Sequence, residues 1–146
     1  MAMIVNFYDK YRTKQLDFEQ KTLNELSIPE IESVISDYFD PFFQVVSEGY
    51  HPIILDMCLD YAIEVYLLGA SYGRHGYYGE DIQVIYMRSE KLFKRLTDDL
   101  FDFWTFWHTP DQIMIQGLYK ACKDFLYYWW GEGLDNAIRL YRLKLH

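Results

Sequence analysis

Asp56, Asp60 and Glu64 stand at i, i+4 and i+8 in a segment that is otherwise almost wholly apolar. Four residues advance a helix by about 40° in face, so in a helix the three carboxylates share one stripe. Such a stripe can bind a hard divalent cation through its oxygens. It can do acid–base work if its surroundings raise a carboxyl pKa. It can also be the solvated edge of a helix, or pair with a basic helix elsewhere. Exposed like charges at i, i+4 cost only a few tenths of a kcal/mol each, so the solvated or paired edge is the expectation to beat. Carboxylate-bridged di-metal bundles carry Glu-x-x-His pairs. Here Leu67 follows Glu64 by three and Ile63 follows Asp60 by three, so that pattern is missing. No cofactor is expected, and a divalent cation is the one candidate ion.

A second candidate lies in Gly73-Arg74-His75-Gly76-Tyr77-Tyr78-Gly79, the only loop-like stretch of distinctive composition. Its glycines permit tight or left-handed geometry. His75, Tyr77, Tyr78 and the following Glu80 would set an imidazole, two phenols and a carboxyl near Glu64 across the turn. The ligand or metal candidates are therefore Asp56, Asp60, Glu64, His75, Tyr78 and Glu80. His51 and His108 adjoin prolines at helix starts and read as turn residues. No two histidines have metal-ligand spacing, and no Ser or Cys has an evident base, so no catalytic residue can be named.

Charge narrows the partners. The chain of 146 residues has a net charge of −8. From Thr22 to Gly73 there is no Lys or Arg but nine carboxylates, and residues 74–146 are balanced. This disfavours nucleic acid and anionic membrane surfaces, and leaves a basic protein as a possible partner for the acidic half. Arg88, Lys91, Lys94 and Arg95 form a basic patch that is expected to neutralise acidic residues within the molecule or to be solvated. Aromatic residues make up 19% of the chain. They crowd more than one helix face in Trp104-Thr-Phe-Trp107 and Tyr127-Tyr128-Trp129-Trp130. Trp104, Trp107, Tyr128 and Trp130 are thus candidates for a homo-oligomer interface, with a larger core as the equal alternative.

The elements that carry these residues read as helical almost throughout. A first helix is expected over Asn6–Leu26. Ser27-Ile28-Pro29-Glu30 is a capping box that opens a second helix, which Asp40-Pro41 should end or kink. A third helix, Pro52 to Tyr72, is apolar nearly all round and should be central. A fourth, starting at Glu80-Asp81, reaches Trp107 with Ile82, Ile85, Ser89, Leu92, Leu96, Phe103 and Trp107 inward, or breaks near Thr97–Asp99. Thr109-Pro110-Asp111-Gln112 opens a fifth, which Gly131 and Gly133 should stop. A short sixth ends the chain. The fold expected is a single all-α domain over residues 1–146, a bundle of five to six helices with a buried central helix around residues 52–72. Cys58 and Cys122 fall in apolar patterns and read as reduced core residues. Neither a signal peptide nor a membrane span is apparent.

Three stretches carry a family resemblance. They are Cys58-Leu-Asp60-Tyr-Ala-Ile-Glu64-Val-Tyr-Leu-Leu-Gly69, then Gly76-Tyr-Tyr-Gly79-Glu80, then Tyr128-Trp129-Trp130 ahead of Gly133. Together they resemble the YbaK-like small proteins of Bacillus and its relatives, a family of unknown function distinct from the aminoacyl-tRNA deacylases of similar name. The resemblance implies a cytoplasmic bacterial protein and supplies no catalytic residue. Two functional classes stay open. One is a non-enzymatic, self-associating interaction module. The other is a ligand- or metal-binding bundle built on the carboxylates of the central helix.

Overall fold

The computed structural model describes residues 18–107 and 112–145. These form an all-α bundle, and no strand occurs among the described residues. Helix α1 covers residues 18–23. It is followed by α2 (Ile28–Phe43), a 3-10 turn (Glu48–Tyr50), α3 (His51–Ala70), α4 (Gly73–Tyr77), α5 (Ile82–Trp107) and α6 (Gln112–Leu145). The part of the first helix expected before residue 18 lies outside the described residues, as do His108 and most of the second capping box.

The local signals at α2 act as read. Ser27 Oγ accepts from the Glu30 backbone N–H at 3.4 Å, and Pro29 occupies the first turn. Pro41 does not end the helix at once. It sits in the last turn, and α2 runs on to Phe43. At the start of α3, His51 Nε2 meets the Val46 carbonyl at 2.9 Å, which is the turn role assigned to it.

α3 is the centre of the bundle. It buries Ile54, Cys58, Ala62, Val65 and Tyr66, and packs against α2, α5 and above all α6. Burial pushes the Cys58 thiol up to about 12, with a small opposing pull from the Trp104 indole. Burial likewise raises Cys122, helped by the nearby Cys58. Both cysteines are free and inert at neutral pH, as a thiol without thiolate character must be.

α6 corrects the largest error of the sequence reading. Gly131 and Gly133 do not stop a helix; they lie inside a single helix of 34 residues, about 50 Å long. At Gly133 the reason is close helix packing, whereas a Cβ on Gly131 would meet nothing. A Cβ on Gly133 would collide with the backbone carbonyl of Tyr66, and one on Gly69 with that of Trp130. Gly73 faces the Cβ and backbone of Ala137, and Gly76 faces the end of the Ile138 side chain. Glycine inside a helix costs about 1 kcal/mol against alanine; here it lets two backbones approach. The stretch from Gly73 is correspondingly a short helix rather than a loop, and only Gly79, at φ 91°, uses the left-handed region. A polar chain that runs from the core to the surface ties this crossing together. Tyr66 Oη donates to the Thr22 carbonyl at 2.8 Å and accepts from Asn136 Nδ2 at 2.8 Å, and Arg139 bridges Asn136 to Glu25.

α5 is unbroken through Thr97–Asp99. Its buried row is Ile85, Ser89, Phe93, Leu96, Leu100 and Trp104, whereas Ile82 and Leu92 face outward. The steps of four, four, three, four and four are longer than the 3.5-residue period expected, so the inward face drifts away from the residues first assigned to it. Asp81 opens the helix, its Oδ1 accepting from the Gln83 N–H at 2.7 Å.

Candidate functional site

The turn from α4 into α5 brings three ionisable side chains together. Gly79 reverses the chain with its positive φ, and the Glu80 N–H donates to the His75 carbonyl at 3.0 Å. This brings His75 Nδ1 within 2.9 Å of Glu80 Oε2, while Arg88 Nε, one side of α5 later, donates to Glu80 Oε1 at 2.7 Å. The Arg88 hydrogen bond is the main reason the Glu80 carboxyl lies below its usual range; the Arg88 charge and His75 add to it, against a cost of burial. Tyr72 stacks at an angle on His75 with ring centres 5.8 Å apart, and its hydroxyl reaches the Arg88 carbonyl. Arg74, His75, Tyr78, Gly79 and Glu80 line an open recess of about 480 Å³. Tyr78 stands at its rim, 71% exposed. Both Glu80 oxygens are already engaged, so the network is a braced turn more than a vacant carboxylate.

The stripe on α3 is separate from it. Asp56, Asp60 and Glu64 are all exposed, and no ion pair among the described residues involves them. Glu64 does not join His75 and Glu80; its nearest electrostatic effect is on Tyr61, which burial raises first, with Asp99 and Glu64 contributing. No group of three His, Cys, Asp or Glu among the described residues could hold a metal ion. The basic patch on α5 does not cover the stripe either. Arg88 goes to Glu80, and Lys94 to Asp98 at 2.8 Å, where Tyr119 Oη also donates.

A second recess, of about 430 Å³, lies between α2 and α6 and is lined by Tyr38, Asp124, Tyr127, Tyr128, Glu132 and Asp135, with Gly131. Burial raises the Glu132 carboxyl above its ordinary value, and Asp135 and Glu30 push the same way against Arg139. Asp124 is paired with Lys120 at 2.6 Å, but Glu132 and Asp135 form no ion pair among the described residues, and beside three phenol rings they suit a cationic group, which is drawn both to the charge and to the faces of the rings.

The aromatic candidates are mostly spent inside. Trp130 is 0% exposed and Trp104 is likewise in the core, stacked on Phe39 with ring centres 5.1 Å apart. Neither can form an interface between copies of this chain. Trp107 and Tyr128 are partly buried. Of the thirteen large apolar side chains that face solvent among the described residues, five lie on α5: Ile82, Val84, Met87, Leu92 and Phe106.

Compared with known families, residues 1–146 match the model of a protein family of unknown function, DUF2521. The chain belongs to that family. Among its relatives is the Bacillus subtilis (strain 168) protein described as uncharacterized protein YbaK, 32% identical over 147 residues, covering 99% of each chain. No solved structure matches. The three stretches that carried the resemblance thus lie in a true DUF2521 chain, and the structure gives all three a physical meaning. Gly69, Trp130 and Gly133 build the α3–α6 crossing, and Gly79-Glu80 builds the braced turn. Sequence reading missed Arg74, Asp124, Glu132 and Asp135, which no spacing marked. It also missed Arg88 as the partner of Glu80, although a carboxylate just ahead of a helix with a cation two turns in was a usable signal.

Proposed function

We propose that this DUF2521 protein is a non-enzymatic helical interaction module of the bacterial cytoplasm that self-associates through the outward face of α5. One observation carries the reading: Val84, Met87, Leu92 and Phe106 are exposed on a helix whose other side is fully committed to the core, and Phe106 is 76% exposed. Exposed apolar side chains of this size, rimmed by charges, mark interaction surfaces. The absence of any described helix long and apolar enough to cross a membrane accords with it. Sedimentation velocity from about 1 to 100 µM, the range in which free energies of association near 7 kcal/mol show, should give a monomer–dimer equilibrium. A single monomeric species throughout would overturn the reading.

The α2–α6 recess favours a second reading, the capture of a cationic group such as a lysine or arginine side chain of a basic partner. Its basis is the raised Glu132 carboxyl among Tyr38, Tyr127 and Tyr128. Spermidine and a short oligo-lysine peptide are suitable probes. Binding by the wild-type chain that is lost in Glu132→Gln with unchanged helix content supports it; equal binding by both proteins excludes it. This moves the ligand hypothesis off the α3 stripe.

A further inference from the structure

Arg88, Lys91, Arg95, Asp99, Asp102 and Phe106 are spaced three, four, four, three and four, so they share one face of α5. That face lies opposite the buried row from Ile85 to Trp104, and all six are exposed. The signs are segregated: the cations come first and the carboxylates last. Within the helix this is unfavourable. Lys91 and Arg95 stand at i, i+4 and Asp99 and Asp102 at i, i+3, and each like pair costs a few tenths of a kcal/mol. The opposite pair Arg95 and Asp99 is also at i, i+4 but forms no bridge. Lys91, Arg95, Asp99 and Asp102 therefore have no ion-pair partner among the described residues.

We infer that this strip is the seat of a second copy of the same chain, with two α5 helices running antiparallel about a two-fold axis near residue 97. The inference rests on the self-association reading above and adds its partner surface and register. A two-fold reverses the sign order, which is what the strip requires. Arg95 then faces Asp99 of the second copy and Lys91 faces Asp102 of the second copy, and symmetry makes each pair twice. Phe106 falls over the turn that holds Arg88 of the second copy, where an arginine over a ring is favourable. The Glu80–His75 brace thereby gains a purpose, since it fixes Arg88 by its Nε while the side chain stays half exposed. A parallel arrangement would set cations against cations and is disfavoured. A strip about 27 Å long and about 10 Å wide is roughly a third of the ~800 Å² per partner of a standard interface, so the dimer is weak and salt-sensitive.

The test is charge complementation followed by sedimentation velocity. Lys91→Asp with Arg95→Asp leaves Arg88 as the only cation of the strip, and Asp99→Lys with Asp102→Lys makes it wholly basic. Each variant alone should dimerise at least about tenfold more weakly, because like charges then face each other. An equimolar mixture of the two should form a heterodimer, and the quadruple swap should recover self-association. The sites are exposed, and circular dichroism checks that each variant keeps its helix content. A wild-type dimer indifferent to all these changes overturns the antiparallel strip while leaving self-association intact. A monomeric wild-type chain overturns both. As a measurement without variants, raising salt from about 50 to 500 mM should weaken the wild-type dimer, and an unchanged equilibrium counts against the charged strip.

Discussion

The α3–α6 crossing and the outward face of α5 solve opposite problems with opposite residues. At the crossing, glycines and an alanine bring two backbones together, aromatic rings fill the space beside them, and Tyr66 is bonded to Thr22 and Asn136. On α5, long charged side chains alternate with exposed apolar ones and leave the helix surface unoccupied. Position matters more than composition here. The chain is rich in aromatics on both helices, yet Trp104 and Trp130 are buried while Phe106 is not. Aromatic content alone does not locate an interface; the side of the helix does.

Substitutions can break that contrast in order of expected effect. Trp104→Ala removes a large side chain packed on Phe39 and Phe43, and should cost about 3–5 kcal/mol in denaturant unfolding. Gly133→Leu forces α6 off α3 and should cost about 3 kcal/mol or more, enough to abolish a cooperative melt in a marginally stable chain. By contrast, Phe106→Ala should change stability by no more than about 0.5 kcal/mol while weakening dimerisation in sedimentation. If the Phe106 change destabilised the fold as much as the Trp104 change, the division between core face and contact face would be wrong.

Two smaller effects depend on pH. The Glu132 carboxyl lies above its ordinary value in the folded chain, so its charge is a penalty at neutral pH that is relieved as pH falls through that raised value. Glu132→Gln should therefore stabilise by a few tenths of a kcal/mol at pH 7, with the gain shrinking in acid; urea unfolding at pH 7 and pH 4 checks both. Glu80 is the mirror case. Arg88 and then His75 hold its carboxyl low, so its contribution is present above the ordinary carboxylate range and fades as pH falls through the depressed value. Glu80→Gln should lower the melting temperature at pH 7 and have less effect at low pH. Last, Mg²⁺, Mn²⁺, Zn²⁺ and Ca²⁺ should leave the melting temperature unchanged, because Asp56, Asp60 and Glu64 are solvated and no described group converges on an ion. A rise lost in Glu64→Gln would restore the α3 stripe as a cation site.

Much of the fold was legible because its signals are local. Ser27 and Glu30 mark a helix start through one hydrogen bond three residues away, and the apolar pattern around residues 52–72 marks a central helix. What misled was long-range. Gly133 resembles a stop signal until the backbone of Tyr66 is set against it from 67 residues upstream in the chain. Glycine for a cap and glycine for close approach are the same letter. The site divides in the same way. His75 and Glu80 are neighbours across one tight turn and could be paired by eye, whereas Glu132 among Tyr38, Tyr127 and Tyr128 needs α2 laid against α6. The interface candidates failed at Trp104 and Trp130 because a row drifting by a fraction of a residue per turn changes which ring points inward.

The glycine crossing also sets a schedule for synthesis. Gly69 and Tyr66 leave the ribosome well before Trp130 and Gly133, and translation at about 5–20 residues per second puts that delay at several seconds. During it α3, apolar on nearly every side, has no α6 to cover it. The nascent chain must pass through an interval in which its most aggregation-prone helix is bare, and a chaperone that holds apolar segments would find its target there rather than in the finished protein.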